Sequence, residues 1–171
     1  MRRSDVAAVS AVERRSYPTA WQEGAYYTEL ANRSACYLVA RLDGAVVGYA
    51  GMWVIMDEAH ITTIAVDPDH RGRKIGERLM NELLTEAMAR GAMRATLEVR
   101  EGNVVAQRLY RKYGFREAAV RRGYYTDNNE NALVMWVDEL GKPAYADMLL
   151  ELRRQLHRAY DDYLRAGDEL R

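Results

Sequence analysis

The hydrophobic period of the chain changes most sharply between Ile64 and Gly76. Ile64-Ala65-Val66 is an apolar, largely β-branched run suited to a buried strand, and Pro68 removes the backbone donor that would extend its ladder. From Ile75 the spacing lengthens. Ile75, Leu79, Leu83 and Ala87 recur every fourth residue, with Met80, Leu84 and Met88 beside them. That is the stripe of an amphipathic helix.

The same reasoning divides the rest of the chain. Asp5 is placed to cap a helix carrying Val6, Val9 and Val12, which Tyr17-Pro18 breaks, and a second short helix is expected from Trp21 to Leu30. Cys36–Ala40 and Ala45–Ile55 read as strands joined by an Asp43-Gly44 hairpin turn, with Gly48 and Gly51 marking bends or close packing. Asp57-Glu58 turns the chain into the strand that ends at Val66. Gly91 stops the long helix, Ala95–Arg100 is a strand, and Asn103 is placed to cap a helix through Leu109 and Tyr110 that ends at Gly114. Phe115–Arg121 and Ala132–Val137 are two further strands, with a polar loop from Arg122 to Asn131 between them. Strands alternating with helices predict an α/β domain with a mixed sheet over residues 1–140.

Residues 141–171 read differently. Leu149, Leu152, Leu156, Tyr160 and Tyr163 keep helical spacing among many charges. The sequence shows no partner for this amphipathic helix. It is expected to pack on its own domain or pair with a second copy, giving a monomer or a homodimer, and to be dispensable for chemistry.

Composition narrows the function. With 171 residues the chain can bury one sizeable core. Its 25 basic and 25 acidic residues cancel, which argues against a general nucleic-acid binder. No apolar run approaches the ~20 residues of a membrane span, and the first residues lack an apolar signal core. The sole cysteine, Cys36, excludes an intrachain disulfide and fits a cytoplasmic protein. His60, His70 and His157 are isolated in the sequence and read as surface or packing residues, with no metal-ligand cluster.

The turn between strand and helix carries Arg71, Gly72, Arg73, Lys74 and Gly76, followed by Glu77. Free backbone N–H groups, the positive end of a helix dipole and three cationic side chains together favour phosphate. A basic connection that merely contains glycine remains the plain alternative. The pattern is neither a Walker loop nor a dinucleotide fingerprint. It resembles the acyl-CoA pyrophosphate loop of the GCN5-related N-acetyltransferase (GNAT) superfamily, Arg/Gln-x-x-Gly-x-Gly/Ala, through Arg71, Ile75 and Gly76. Lys74 stands where that family usually has its first glycine.

Further elements sharpen the likeness. Leu97-Glu98-Val99-Arg100, Asn103, Tyr110-Arg111-Lys112-Tyr113-Gly114-Phe115, Arg122-Gly123-Tyr124-Tyr125 and Tyr17-Pro18-x-x-Trp21 resemble the ribosomal-protein-alanine N-acetyltransferase (RimI) family over roughly residues 5 to 137. The resemblance implies a mostly antiparallel sheet flanked by helices, whose first strand is here a stub around Met1–Arg3 or missing. It implies acetyl-CoA held by the backbone of Ile64, Ala65 and Val66 and by the N–H groups from Gly72 to Glu77. Arg71, Lys74 and Asn103 add contacts. It gives Glu98 as proton acceptor and Tyr110 as proton donor, in direct attack within a ternary complex. Tyr17, Trp21, Tyr124 and Tyr125 would flank the acceptor groove, where Glu130-Asn131-Ala132 replaces a frequent Glu-Asp-Ala.

The chemistry is consistent with these residue types. An α-amine, near ~7.7–8.0, needs only a modest base, whereas a lysine amine near ~10.4 demands more. A phenol can serve the departing thiolate, and a backbone N–H near Val66 can face the developing oxyanion. Plain alternatives stand beside each assignment. Glu98 could pair with Arg100 on a strand surface, Tyr110 could be core, and the four aromatics could simply fill space. Cys36, in an apolar strand without a nearby histidine, reads as a small buried residue and not a nucleophile. The expected acceptor is a protein N-terminus, a ribosomal protein beginning with alanine. A small polycationic amine, or a non-catalytic acetyl-CoA-binding role, are the competing readings.

Overall fold

The computed structural model describes the backbone of residues 1–168 and side chains up to residue 158. Six strands form one sheet in the order β1-β2-β3-β4-β6-β5. β1 (Ala35–Leu42), β2 (Ala45–Ile55) and β3 (Glu58–Val66) run antiparallel, and β4 (Arg94–Arg100) lies parallel to β3. β6 (Glu130–Val137) and β5 (Arg116–Tyr125) complete the sheet antiparallel. Asp43 and Gly44 both take positive φ, 49° and 83°, as a two-residue hairpin turn requires. The next turn is Met56-Asp57, one residue earlier than expected, because Glu58 already pairs with Ile55.

Helices cover both faces. α1 (Val6–Ser16) and α2 (Glu23–Ala31) pack on one face, where Val6, Val9, Val12 and Tyr26 meet Tyr37, Tyr49 and Ala65. α3 (Ile75–Ala89), α4 (Val104–Lys112) and α5 (Pro143–Asp168) pack on the other. The α3 stripe of Leu79, Met80, Leu83, Leu84 and Ala87 is buried, as its spacing predicts.

Some local expectations are corrected. Asp5 makes no side-chain cap on α1. Its carboxylate accepts from the Arg2 N–H at 2.7 Å and pairs with Arg41 at 2.5 Å. No strand forms at Met1–Arg3; the Met1 ammonium donates to Tyr37 O at 2.8 Å and Arg3–Asp5 is a short 3-10 turn. α2 begins at Glu23, so Trp21 precedes it. β5 runs on through Tyr125, so the polar loop shrinks to residues 126–129.

A bulge at Thr62 shapes the centre of the sheet. Gly51 pairs with Thr63 and Met52 with Ile61, leaving Thr62 as the extra residue. The insertion reverses which face each side chain meets. Ala59 and Ile61 belong to the α3-side core, but beyond the bulge Ala65 belongs to the α1-side core. β3 and β4 pair only from Glu58↔Arg94 to Ile61↔Leu97. Past that point the two strands part, and a gap opens between Thr63–Val66 and Glu98–Arg100.

α5 has its partner within the chain. Tyr145, Leu149 and Leu152 are buried in the α3-side core, and Leu156 is buried nearby. Asn81 Nδ2 donates to Leu149 O at 3.0 Å, Arg78 to Leu156 O at 3.0 Å, and Tyr145 OH to Tyr113 O at 2.7 Å. Of the two expected arrangements, packing on its own domain and pairing with a second copy, the stripe over this length takes the first. Tyr160 and Tyr163 lie outside the residues whose side chains are described. Truncation after Lys142 is expected to give an insoluble or unfolded chain, contrary to the dispensability that the sequence suggested. Leu149→Ala is expected to cost about 2–5 kcal/mol in denaturant unfolding. A soluble truncation with an unchanged melting midpoint would contradict this packing.

Candidate active site

The gap between β3 and β4 is lined by backbone. The Asp67 N–H donates to Val47 O at 2.9 Å. By antiparallel alternation Ala65 then bonds to β2, while the N–H and C=O groups of Ile64 and Val66 point away from β2 into the gap. Their carbonyls already have donors. Tyr17 OH donates to Ile64 O at 2.9 Å, and Ser16 Oγ and Arg71 Nε each reach Val66 O at 3.3 Å. Arg71 is thus folded back on the strand end, and Tyr17 braces the edge of the gap.

At the end of β3 the loop turns sharply into α3. Gly72 has φ of 79° and Lys74, which precedes the first helical residue, has φ of 61°. The left-handed conformation at Lys74 explains why a glycine suits this position. No side chain caps the first N–H groups of α3, so Ile75, Gly76 and Glu77 present amides at the positive end of the helix. Lys74 Nζ lies 3.3 Å from Glu77 Oε2, and Lys112 pairs with the other oxygen of this buried carboxylate. With the Glu77 charge so matched and Arg73 beside it, the uncapped turn fits a pyrophosphate. Asn103 caps α4, its Oδ1 accepting from the Ala106 N–H at 3.1 Å. A cavity of about 840 Å³ between β1, the start of α3 and α5 shares Gly72–Ile75 with this loop, but neither Glu98 nor Tyr110 lines it. Glu98 and Tyr110 therefore stand apart from this cavity.

Glu98 stands at the fork where the strands part. In β4, Ala95, Leu97 and Val99 face the core and Glu98 takes the other face, with its side chain 10% exposed. The surface pairing with Arg100, the plain alternative for Glu98, does not form. Arg100 instead binds both Asp127 oxygens at 2.9 Å and Glu130 at 3.0 Å, and lies 3.9 Å from the centre of the Tyr125 ring. The partners of Glu98 are His60, Nε2 to Oε2 at 2.8 Å, and Arg121, to Oε1 at 3.1 Å. The His60 hydrogen bond is the main reason the Glu98 carboxyl sits below its ordinary range; burial opposes it and the pull of His60 and Arg121 adds to it. Burial raises the phenol of Tyr110, with Tyr17 and Tyr125 close enough to add repulsion. Tyr110 therefore stays a protonated donor, facing a cluster of phenols. Burial likewise pushes Tyr125 up to about 12.

The four aromatics expected around the acceptor occupy two places. Tyr124 and Tyr125 stand edge to face, 5.2 Å apart, at the end of β5, with Arg121 5.5 Å from the Tyr124 ring. Tyr17, bonded to Ile64 O, is near enough to Tyr125 to act on its phenol, but Trp21 sits against Tyr26 at 5.9 Å, partly exposed. The Trp21 N–H donates to Glu13 Oε1 at 3.2 Å. Glu13 is buried, and its other oxygen accepts from Tyr49 OH. Tyr49 OH also receives Tyr26 OH at 3.1 Å and Thr63 Oγ1 at 3.3 Å, and Thr63 lies 3.4 Å from Tyr17 OH. One hydrogen-bonded chain thus ties the α1–α2 connection to the edge of the gap. Among the described residues no cluster of three His, Cys, Asp or Glu could hold a metal, and no helix is long and apolar enough to cross a membrane.

The family model of the acetyltransferase (GNAT) family matches residues 6–115. The chain belongs to this family. A Bacillus subtilis (strain 168) relative, itself a candidate ribosomal protein bS18-alanine N-acetyltransferase, is 43% identical over 138 residues, covering 80% of this chain and 91% of its own length. The Escherichia coli (strain K12) ribosomal protein bS18-alanine N-acetyltransferase is 34% identical over 134 residues, covering 77% and 90%. The crystal structure of the ribosomal-protein-S18-alanine N-acetyltransferase from Escherichia coli gives a TM-score of 0.75 at 32% identity, over 80% of this chain and 89% of that one. The mixed, mostly antiparallel sheet flanked by helices is the fold these GNAT relatives share.

Sequence reading missed His60, Arg121, Glu13 and Tyr49. Signals for two of them were present. Glu13 falls four residues after Val9 on the buried stripe of α1, and His60 alternates with Ala59 and Ile61 on the strand beside Glu98. The depressed Glu98 carboxyl has a consequence for stability. A lowered folded value contributes stability above the unfolded value, lost as pH falls through the folded one. Glu98→Gln is therefore expected to lower the melting midpoint at pH 7 relative to wild type, with the difference closing in acid below about pH 4. A difference that persists unchanged at pH 2.5 would contradict the ion-pair origin.

Proposed function

We propose that this chain transfers the acetyl group of acetyl-CoA to the α-amine of a protein N-terminus, with alanine as the preferred first residue and a ribosomal protein as the acceptor. The observation that carries this reading is Glu98, a charged, oriented carboxylate at the mouth of a gap walled by the Ile64–Val66 backbone. Acetyl-CoA supplies an activated thioester. The uncapped turn of α3, with Arg73 and Lys74, suits its pyrophosphate, and the Ile64 and Val66 N–H groups suit the pantetheine arm and the carbonyl oxygen that gains charge. The acceptor amine must lose a proton before attack. At ~7.7–8.0 an α-ammonium is already partly neutral near pH 7, so a weak base such as Glu98 suffices, directly or through one water. Tyr110, protonated throughout, would donate to the departing sulfur. Tyr124 and Tyr125 offer hydroxyls to an extended peptide, with Tyr17 on the opposite bank and Trp21 set apart against Tyr26.

The polar groups around the gap count against a polycationic small molecule. Such substrates need several unpaired carboxylates, but Asp127 and Glu130, the two that the β5–β6 loop offers, are taken by Arg100. Retention of both Glu98 and Tyr110 speaks against a purely sensory role.

Two measurements check the reading. Acetyl-CoA at a hundredfold its dissociation constant is expected to stabilise the protein by about 2.7 kcal/mol in a thermal scan. An unchanged midpoint would remove the cofactor assignment. Rates are then compared for peptides beginning Ala, Ser, Met and Leu, each also with a blocked N-terminus and an internal lysine. Free Ala-first peptide is expected to lead, and Glu98→Gln and Tyr110→Phe each to slow it ~10²–10⁴-fold. Equal acetylation of lysine in the blocked peptides would sink the α-amine assignment, and wild-type rates in both variants would leave Glu98 and Tyr110 structural.

A further inference from the structure

We propose that His60 is a positioning residue for acetyl transfer, which holds Glu98 by Oε2 so that Oε1 is the oxygen offered to the acceptor amine. This rests on the acetyltransferase reading above and adds a division of labour between the two carboxylate oxygens.

The parallel register places His60 opposite Thr96, so Glu98 lies two residues further along the same face. This diagonal reach brings Nε2 within 2.8 Å of Oε2. A carboxylate can only accept, so Nε2 carries the hydrogen and the tautomer is set by the contact. The imidazole is confined on its other side by the Trp53 ring, 6.1 Å away at 71°. Trp53 is itself fixed, its Nε1–H donating to Glu29 Oε2 of α2 at 2.5 Å.

The two donors to Glu98 differ in how firmly they are held. His60 stands on a central strand, packed against Trp53, with its side chain 35% exposed. Arg121 reaches Oε1 from the edge strand β5, its side chain 55% exposed and close to the Tyr124 ring. An arriving α-ammonium has the same charge as the Arg121 guanidinium and competes for the same oxygen, and Tyr124 offers the displaced guanidinium an alternative seat. His60 stays in place, and the plane of the carboxylate stays fixed while its partner at Oε1 changes. Without His60 the carboxyl group would be free to rotate or to follow Arg121.

The test compares His60→Ala, which removes the donor, with His60→Gln, which keeps an amide N–H near the Nε2 position. His60→Ala is expected to lower kcat ~10–100-fold, the loss a charge-assisted hydrogen bond can carry, with KM for acetyl-CoA unchanged. His60→Gln is expected to recover to within a few-fold of wild type. Unchanged kcat in His60→Ala, or a His60→Gln variant as slow as His60→Ala, overturns the proposal. Turnover is read with whichever amine wild type acetylates, so a wrong acceptor and a wrong role for His60 give different results. A readout independent of turnover is the ring tautomer. Long-range proton–nitrogen NMR spectra at pH 8 are expected to show the His60 hydrogen on Nε2 in wild type. A bare Nε2 with the hydrogen on Nδ1 also overturns the proposal.

Discussion

The parting of β3 from β4 after Ile61↔Leu97 is the constraint on which the rest of the site depends. Two parallel strands that stayed paired would satisfy each other and leave no backbone for a ligand. The bulge at Thr62 reverses the facing of the second half of β3, so that Ile64 and Val66 pack their side chains on the α3-side core and turn their backbone groups into the gap. The same stretch delivers the chain to the tight turn before α3, so the backbone wall and the anion-favouring helix end are consecutive. Glu98, at the fork on the opposite strand, borders the same gap.

An open strand edge inside a domain is costly unless its polar groups find partners. Here side chains supply them from the α1–α2 layer. Tyr17 and Ser16 bond the exposed carbonyls, and the chain of Glu13, Tyr49, Thr63 and Tyr17 anchors those contacts in the core. The arrangement links the segment expected to meet the acceptor with the strand expected to meet acetyl-CoA. The charges at the mouth are also matched before any ligand arrives, Glu98 by His60 and Arg121, Glu77 by Lys74 and Lys112. Binding can then proceed by exchange of partners, without first charging or neutralising a buried group.

Much of this was legible in the chain. The change of period at Ile75, the Asp43-Gly44 turn and the Asn103 cap are local signals, and local physics sets them. The family likeness singled out Glu98 and Tyr110, whose surroundings are a paired carboxylate and a buried, protonated phenol. What the sequence left hidden depends on contacts between distant segments. The true partners of Glu98 come from β3 and β5, 38 and 23 positions away, whereas the neighbour that looked natural, Arg100, is drawn off by Asp127 and Glu130. Asp5 looked like a helix cap but its carboxylate is taken by Arg41. The C-terminal stripe looked unpartnered because its partner surface, the outer side of α3, also carries charged residues such as Arg78 and Glu82, which bond to α5.

A structure of this protein with coenzyme A bound decides whether the β3–β4 gap holds the cofactor. The pantetheine arm is expected in the gap beside Ile64 and Val66, with the pyrophosphate on the N–H groups from Gly72 to Glu77 and the sulfur nearest Glu98 and Tyr110. Coenzyme A seated instead in the cavity between β1, α3 and α5, with the β3–β4 gap closed, would contradict this placement.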